Sequence, residues 1–122
     1  MREKESKVIV DSRFEGEVCL FSLIGELTLV DAPDVGQALD RIFEKGFYKF
    51  LFDFDRLTFI DSSGISILIR FYGKLTKKEG KIAFCSFHKN VANAMQKALP
   101  LNMRQTIYFE DRNSALNYLN FI

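Results

Sequence analysis

Asp61, Ser62, Ser63 and Gly64 follow one another where a short extended run, 57–60, gives way to an amphipathic helical pattern. A carboxylate and two hydroxyls at such a junction can each accept a backbone N–H from the first helical turn, whose amides have no partner within the helix. Capping is the commonplace use of these residue types. The same position also suits a phosphate, because the free N–H groups and the helix macrodipole favour negative charge. A phosphoryl group on a serine there adds about −1.5 to −2 charge beside Asp61 and leaves the helix intact. It changes which partner can dock, not the fold.

Other candidate chemistry fails quickly. A serine or cysteine nucleophile needs an adjacent base, usually histidine. The single histidine, His88, opens a predicted helix and reads as a surface or capping residue. No GxSxG elbow surrounds Ser62 or Ser63, and no glycine-rich phosphate loop or GxGxxG is present. No catalytic residue is assigned, and the expectation is a protein that is not an enzyme. Cys19 and Cys85 sit in apolar, strand-like runs without a CxxC, as buried thiols in a reducing cytosol would. With one histidine and no Cys/His cluster, neither metal nor cofactor is expected. Asp53 and Asp55, at the end of a buried run, invite comparison with a phosphoaspartate receiver. Such a domain needs further carboxylates for Mg²⁺ and a lysine for the phosphoryl oxygens. The first strands supply no acidic pair, and 106–109 is not preceded by a suitable lysine, so the receiver is a minor reading.

The elements that position these residues follow from length and periodicity. A chain of 122 residues, 48% hydrophobic and with 13 phenylalanines, has the size of one domain and enough apolar mass for a core. Lys and Arg number 17 against 16 Asp and Glu, so no excess positive charge favours nucleic acid. The longest apolar runs, 18–24 and 65–72, fall short of the ~20 residues of a membrane span. The charged start, with no apolar run behind it, gives the expectation of no signal peptide and a cytoplasmic protein.

Strands are predicted at 7–14 and 18–24, joined by a hairpin turn at Glu15-Gly16-Glu17. A helix follows at 33–44, with Asp31 as N-cap, Pro33 in its first turn and Gly46 as its stop. The aromatic run 47–54 reads as a strand buried on both faces. Asp55-Arg56 forms a turn and 57–60 is extended. The second helix runs from 61 to about 79, with Ile65, Leu68, Ile69, Tyr72 and Leu75 inward. A strand at 81–86, a helix at 88–99 (Val91, Ala94, Met95 and Ala98 inward, closed by Pro100), a strand at 106–109 and a helix at 111–121 (Ala115, Leu116, Leu119 and Ile122 inward) complete the chain. The alternation implies an α/β fold. A mixed, mostly parallel central sheet opens with a hairpin and carries about four helices.

The stretch Leu51-Phe52-Asp53-Phe54-Asp55-Arg56-Leu57-Thr58-Phe59-Ile60-Asp61-Ser62-Ser63-Gly64 closely resembles the signature of the STAS domain, the anti-sigma factor antagonist fold of bacteria. Leu23-Ile24-Gly25-Glu26-Leu27 resembles that family's Gly-Glu-Leu element on the second strand. The likeness runs from about Lys7 to Leu119, which implies a single STAS-type domain over 1–122 with its core at about 7–119. It also implies a switch protein in a partner-switching pathway. The unphosphorylated antagonist binds an anti-sigma factor that is also a serine kinase. Phosphorylation of the serine after the aspartate releases it, and a metal-dependent serine phosphatase restores it. By this resemblance the modified residue is Ser62, with Ser63 as the fallback. Asp61 and Gly64 shape the switch loop, and Gly25, Glu26 and Thr28 belong to the partner-binding surface.

The chain departs from the family pattern at Thr28, where many phosphorylated members carry an aspartate. Asp31 and Asp34 are the nearby carboxylates that could take its place. Ile67 falls outside the main apolar arc of its helix and Phe71 lies at the edge of that arc. The ordinary reading of both is extra packing against the sheet or a neighbouring loop; the alternative, a partner-binding assignment, places them on an apolar surface beside Ser62. A homodimer through that surface is left open. The alternative function is a constitutive STAS adaptor or structural subunit, of a lipid-transport or stressosome-type complex, that needs no phosphorylation.

Overall fold

A computed structural model describes residues 8–99 and 108–121. The strands are β1 (Ile9–Glu15), β2 (Val18–Leu27), β3 (Lys49–Asp53), β4 (Leu57–Ile60), β5 (Lys81–Cys85) and β6 (Tyr108–Phe109). The helices are α1 (Ala32–Glu44), α2 (Ser62–Thr76), α3 (Lys89–Ala98) and α4 (Arg112–Asn120). Strand order across the sheet is β1-β2-β3-β5-β6, with β4 paired to β2. The β1–β2 hairpin is antiparallel and every other pairing is parallel. The expected α/β architecture is what the chain adopts.

Side-chain alternation decides the two layers. Phe21, Phe50, Phe52 and Phe84 face a core built with α1, α2 and α3. Val18, Leu20, Leu51 and Ala83 face the opposite side, where Ala115 and Leu119 of α4 cover them. A strand covered on both faces must be apolar at successive positions, which is why β3 reads as an unbroken run. Its rings are packed edge to face or offset. Phe50 meets Phe71 at a centroid distance of 4.7 Å and Phe52 meets Phe84 at 5.4 Å.

Ile67 and Phe71 correct the partner-binding assignment: they are only 8% and 1% exposed and belong to the core. The inward arc of α2 turns toward α1, because α2 packs on that helix as well as on the sheet. A Cβ added at Gly36 of α1 would lie 3.6 Å from Ile67 Cδ1, and Phe71 packs between Phe43 and Phe50. Ile69 and Tyr72 are correspondingly half-buried. Neither side chain forms an exposed apolar surface in this chain.

Asp31 also departs from expectation. It stands at the N-cap position of α1 but makes no capping bond. Its Oδ2 instead accepts the N–H of Val8 at 2.9 Å, and the residue is 3% exposed. α2 ends at Thr76, and Glu79 takes a positive φ of 56° before Gly80. In α3, Val91 and Met95 are buried, whereas Ala98 is exposed. In α4, Ala115 and Leu119 are buried and Leu116 is half-buried. The expected roles of Lys7, Pro100, Thr106 and Ile122 lie outside the described residues.

Both cysteines are free and buried. Burial pushes the Cys19 thiol up to about 12. Burial, and then the nearby Asp53 carboxylate, raise that of Cys85. Asp53 is 8% exposed and accepts from Arg112 Nη2 at 2.6 Å and from the N–H of Asp55 at 3.1 Å. The Asp53 carboxylate that invited a receiver comparison thus anchors α4 to the end of β3.

Candidate functional site

The parallel pairing of β4 with β2 sets Glu26 beside Phe59 and Leu27 beside Ile60. The N–H of Asp61 then donates to the Leu27 carbonyl at 3.1 Å, so the 61–64 loop leaves the sheet at a fixed point. Asp61 has an extended backbone, with φ −105° and ψ −176°, as an N-cap requires. Its Oδ1 accepts the Gly64 N–H at 3.1 Å and its Oδ2 accepts the Leu29 N–H at 3.0 Å. The first backbone bond of α2 follows, from Ile65 N–H to the Asp61 carbonyl.

Capping therefore belongs to Asp61. Both serines are left with hydroxyls that make no hydrogen bond among the described residues. Ser62 is exposed and Ser63 is half-buried, so Ser62 is the more accessible of the two. Gly64 is buried, and a Cβ there would stand 2.7 Å from Leu27 Cγ and 2.9 Å from Ile60 Cγ1. Only glycine lets α2 start this close to the end of β2.

Gly25, Glu26 and Thr28 are brought to the same end of the sheet. Gly25, at φ 111°, donates to the Arg56 carbonyl at 3.0 Å and accepts from Thr58 Oγ1 at 3.1 Å. Glu26 is exposed. Thr28 is turned inward on its own loop: its Oγ1 accepts the Val30 N–H at 3.3 Å and its carbonyl accepts from Asp31 and Ala32. Asp31, bound to Val8, is not free to replace a missing carboxylate at Thr28, whereas Asp34 is exposed.

The sequence reading missed the apolar surface beside the loop. Leu29 and Val30 are 70% and 61% exposed, and Phe59 is 45% exposed. Two apolar residues between a strand and a helix N-terminus were the available clue, since a connecting segment ordinarily carries polar side chains. An exposed serine on a rigid cap, flanked by an apolar patch, can accept a phosphate and present it against whatever covers that patch.

The sequence profile of the STAS domain matches residues 10–108. The chain belongs to the STAS domain family. No curated protein matches it. Among solved structures, this STAS domain resembles an anti-sigma factor antagonist from Mycobacterium paratuberculosis, with a TM-score of 0.74 and 20% identity over 93% of this chain and 95% of that one. It also resembles the Bacillus cell fate determinant SpoIIAA in its phosphorylated form, with a TM-score of 0.73 and 17% identity over 90% and 98% of the two chains. The murine anion transporter Slc26a9 contains a similar unit, with a TM-score of 0.73 and 17% identity over 90% of this chain but 19% of the transporter. At these identities the likeness is one of fold. No helix among the described residues of the STAS domain is long and apolar enough to cross a membrane.

Proposed function

We propose that this STAS domain is an anti-sigma factor antagonist whose binding is switched by phosphorylation of Ser62. The observation that carries this reading is the exposed Ser62 hydroxyl, free of hydrogen bonds at the first position of α2, on a loop held by Asp61. The partner is an anti-sigma factor with serine kinase activity. It covers the 61–64 loop together with Leu29 and Val30. With ATP bound to the kinase, Ser62 Oγ attacks the γ-phosphorus, its proton passes to a base of the kinase and ADP leaves. The new phosphate lies beside the Asp61 carboxylate and opposes renewed docking, while the N-terminus of α2 tolerates it. A serine phosphatase hydrolyses the ester and restores the binding form. The protein acts in the cytoplasm, by binding and not by catalysis, and needs no cofactor of its own.

Thr28 favours a second reading, a constitutive STAS adaptor, because it leaves no carboxylate at that position for kinase recognition. Capture with Ser62→Ala and Ser62→Asp baits, in the presence of ATP and Mg²⁺, separates the two. A kinase-type protein held by the alanine bait and lost from the aspartate bait supports the switch. The same partners on both baits, none of them a kinase, support the adaptor.

A further inference from the structure

We propose that the open edge of β1 pairs with β1 of a second copy of this chain, antiparallel about a two-fold axis at Ser12, joining two sheets into one. β1 ends the strand order, with β2 on one side and, among the described residues, no strand on the other. Every residue of it except Asp11 is exposed, including Ile9, Val10 and Phe14 at 59%, 38% and 45%. An edge with free backbone groups is a template for another strand. What that strand should be is written in the register.

A two-fold axis perpendicular to the sheet keeps every side chain on its own face, so only residues of the same face can stand opposite one another. Asp11 and Arg13 share the face of Ser22 and Leu20, whereas Val10 and Phe14 share that of Leu23 and Cys19. An axis at Asp11 would set Asp11 against Asp11. An axis at Arg13 would set Arg13 against Arg13 and Asp11 against Glu15. Like charges directly opposed are destabilising. An axis at Ser12 opposes Asp11 to Arg13 twice on one face and Val10 to Phe14 twice on the other. It also pairs the whole of Ile9–Glu15, while either neighbouring axis leaves two residues of the strand unpaired. About Ser12 the strand is therefore self-complementary in its Asp11–Arg13 charges, in its Val10–Phe14 contact and in length, with Ile9 opposite Glu15 at each end.

The charges are available for this. Arg13 Nε lies 3.3 Å from Asp11 Oδ2 within the chain, and the two side chains are 72% and 45% exposed. In the pair, two such couples meet and close a ring of four alternating charges. Antiparallel pairing sends the two β1 N-terminal ends apart. Each is tied beside its own α1 through Val8 and Asp31, so the two 61–64 loops lie at opposite ends and remain open. The inference does not depend on phosphorylation of Ser62.

The test uses the purified full chain in sedimentation equilibrium over a micromolar concentration series. The expected result is a concentration-dependent doubling of the 14.1 kDa mass. Arg13→Glu alone and Asp11→Arg alone should each weaken association at least tenfold. An equimolar mixture of the two should restore it, because one chain is then acidic at both positions and the other basic. Ser12→Cys should form one intermolecular disulfide on mild oxidation: directly opposed Cα atoms stand ~4.5–5.5 Å apart, within disulfide reach. Cys19 and Cys85, both buried, do not compete. A chain that stays monomeric throughout, a dimer indifferent to both charge reversals, a mixture that fails to reassociate, or Ser12→Cys that does not cross-link would each overturn the proposal.

Discussion

The backbone N–H of Leu29 donates to Asp61 Oδ2 at 3.0 Å, across 32 residues of sequence. The other oxygen of the same carboxylate caps α2 at Gly64. One side chain thus fastens the exposed Leu29-Val30 segment to the residue that precedes Ser62. A charge placed on Ser62 would stand next to the residue that also holds the exposed Leu29-Val30 segment.

Removing that fastening should cost stability as well as binding. Asp61→Ala loses both acceptors and should destabilise the fold by ~1–2 kcal/mol in urea unfolding. Ser62→Ala, which removes an unbonded exposed hydroxyl, should stay within ~0.5 kcal/mol of the parent chain.

Two glycines of α2 should respond with opposite sign. At Gly64 an added methyl would lie 2.7 Å from Leu27 Cγ, so Gly64→Ala should destabilise by ~1–3 kcal/mol through overpacking. At Gly73 no heavy atom lies within 4 Å of the added Cβ, so Gly73→Ala should stabilise by ~0.5–1 kcal/mol through helix propensity. Thermal or denaturant midpoints of the two variants decide it.

Arg112 should matter more than its exposure suggests. Its guanidinium, 49% exposed, meets an Asp53 side chain that is only 10% exposed. Arg112→Ala leaves that carboxylate without its cation and should cost ~1–3 kcal/mol, discounted from a fully buried pair because Arg112 is half open to water. Hydrogen exchange should then show faster opening of α4 than of α2.

Burial of Cys19 sets an alkaline limit. Its thiol keeps its proton to about 12 in the folded chain, against an ordinary value of 9.0. Between these values the unfolded chain holds fewer protons than the folded one, so stability falls as pH rises from about 9 toward 12. Below that window a thiol-specific reagent should leave Cys19 unmodified in the native protein and label it on unfolding. Cys19→Ser should flatten the alkaline decline.

The element order and the strand-to-helix loop of the candidate site were legible because they are local. Alternating runs give β1 and β2, the aromatic run gives β3, and Asp61-Ser62-Ser63-Gly64 marks the start of α2. What failed depended on neighbours remote in sequence. Asp31 has the composition of a cap, yet the hairpin brings the Val8 amide to its carboxylate from 23 residues away. Ile67 and Phe71 look peripheral on a helical wheel. They are buried because Gly36 leaves a slot for the first, and Phe43 and Phe50 take the second. Leu29 and Val30 were readable as apolar, but their exposure was not. It follows from the turn at Thr28, whose carbonyl accepts from Asp31 and Ala32. Nor could the pairing of Arg112 with Asp53 be read, with 59 residues between them.

The direct test of the switch is the dissociation constant of the captured kinase-type partner for two forms of this chain, unmodified and stoichiometrically phosphorylated on Ser62. The account predicts at least tenfold weaker binding of the phosphorylated form, with an unchanged circular dichroism spectrum. Equal dissociation constants for the two forms would contradict it.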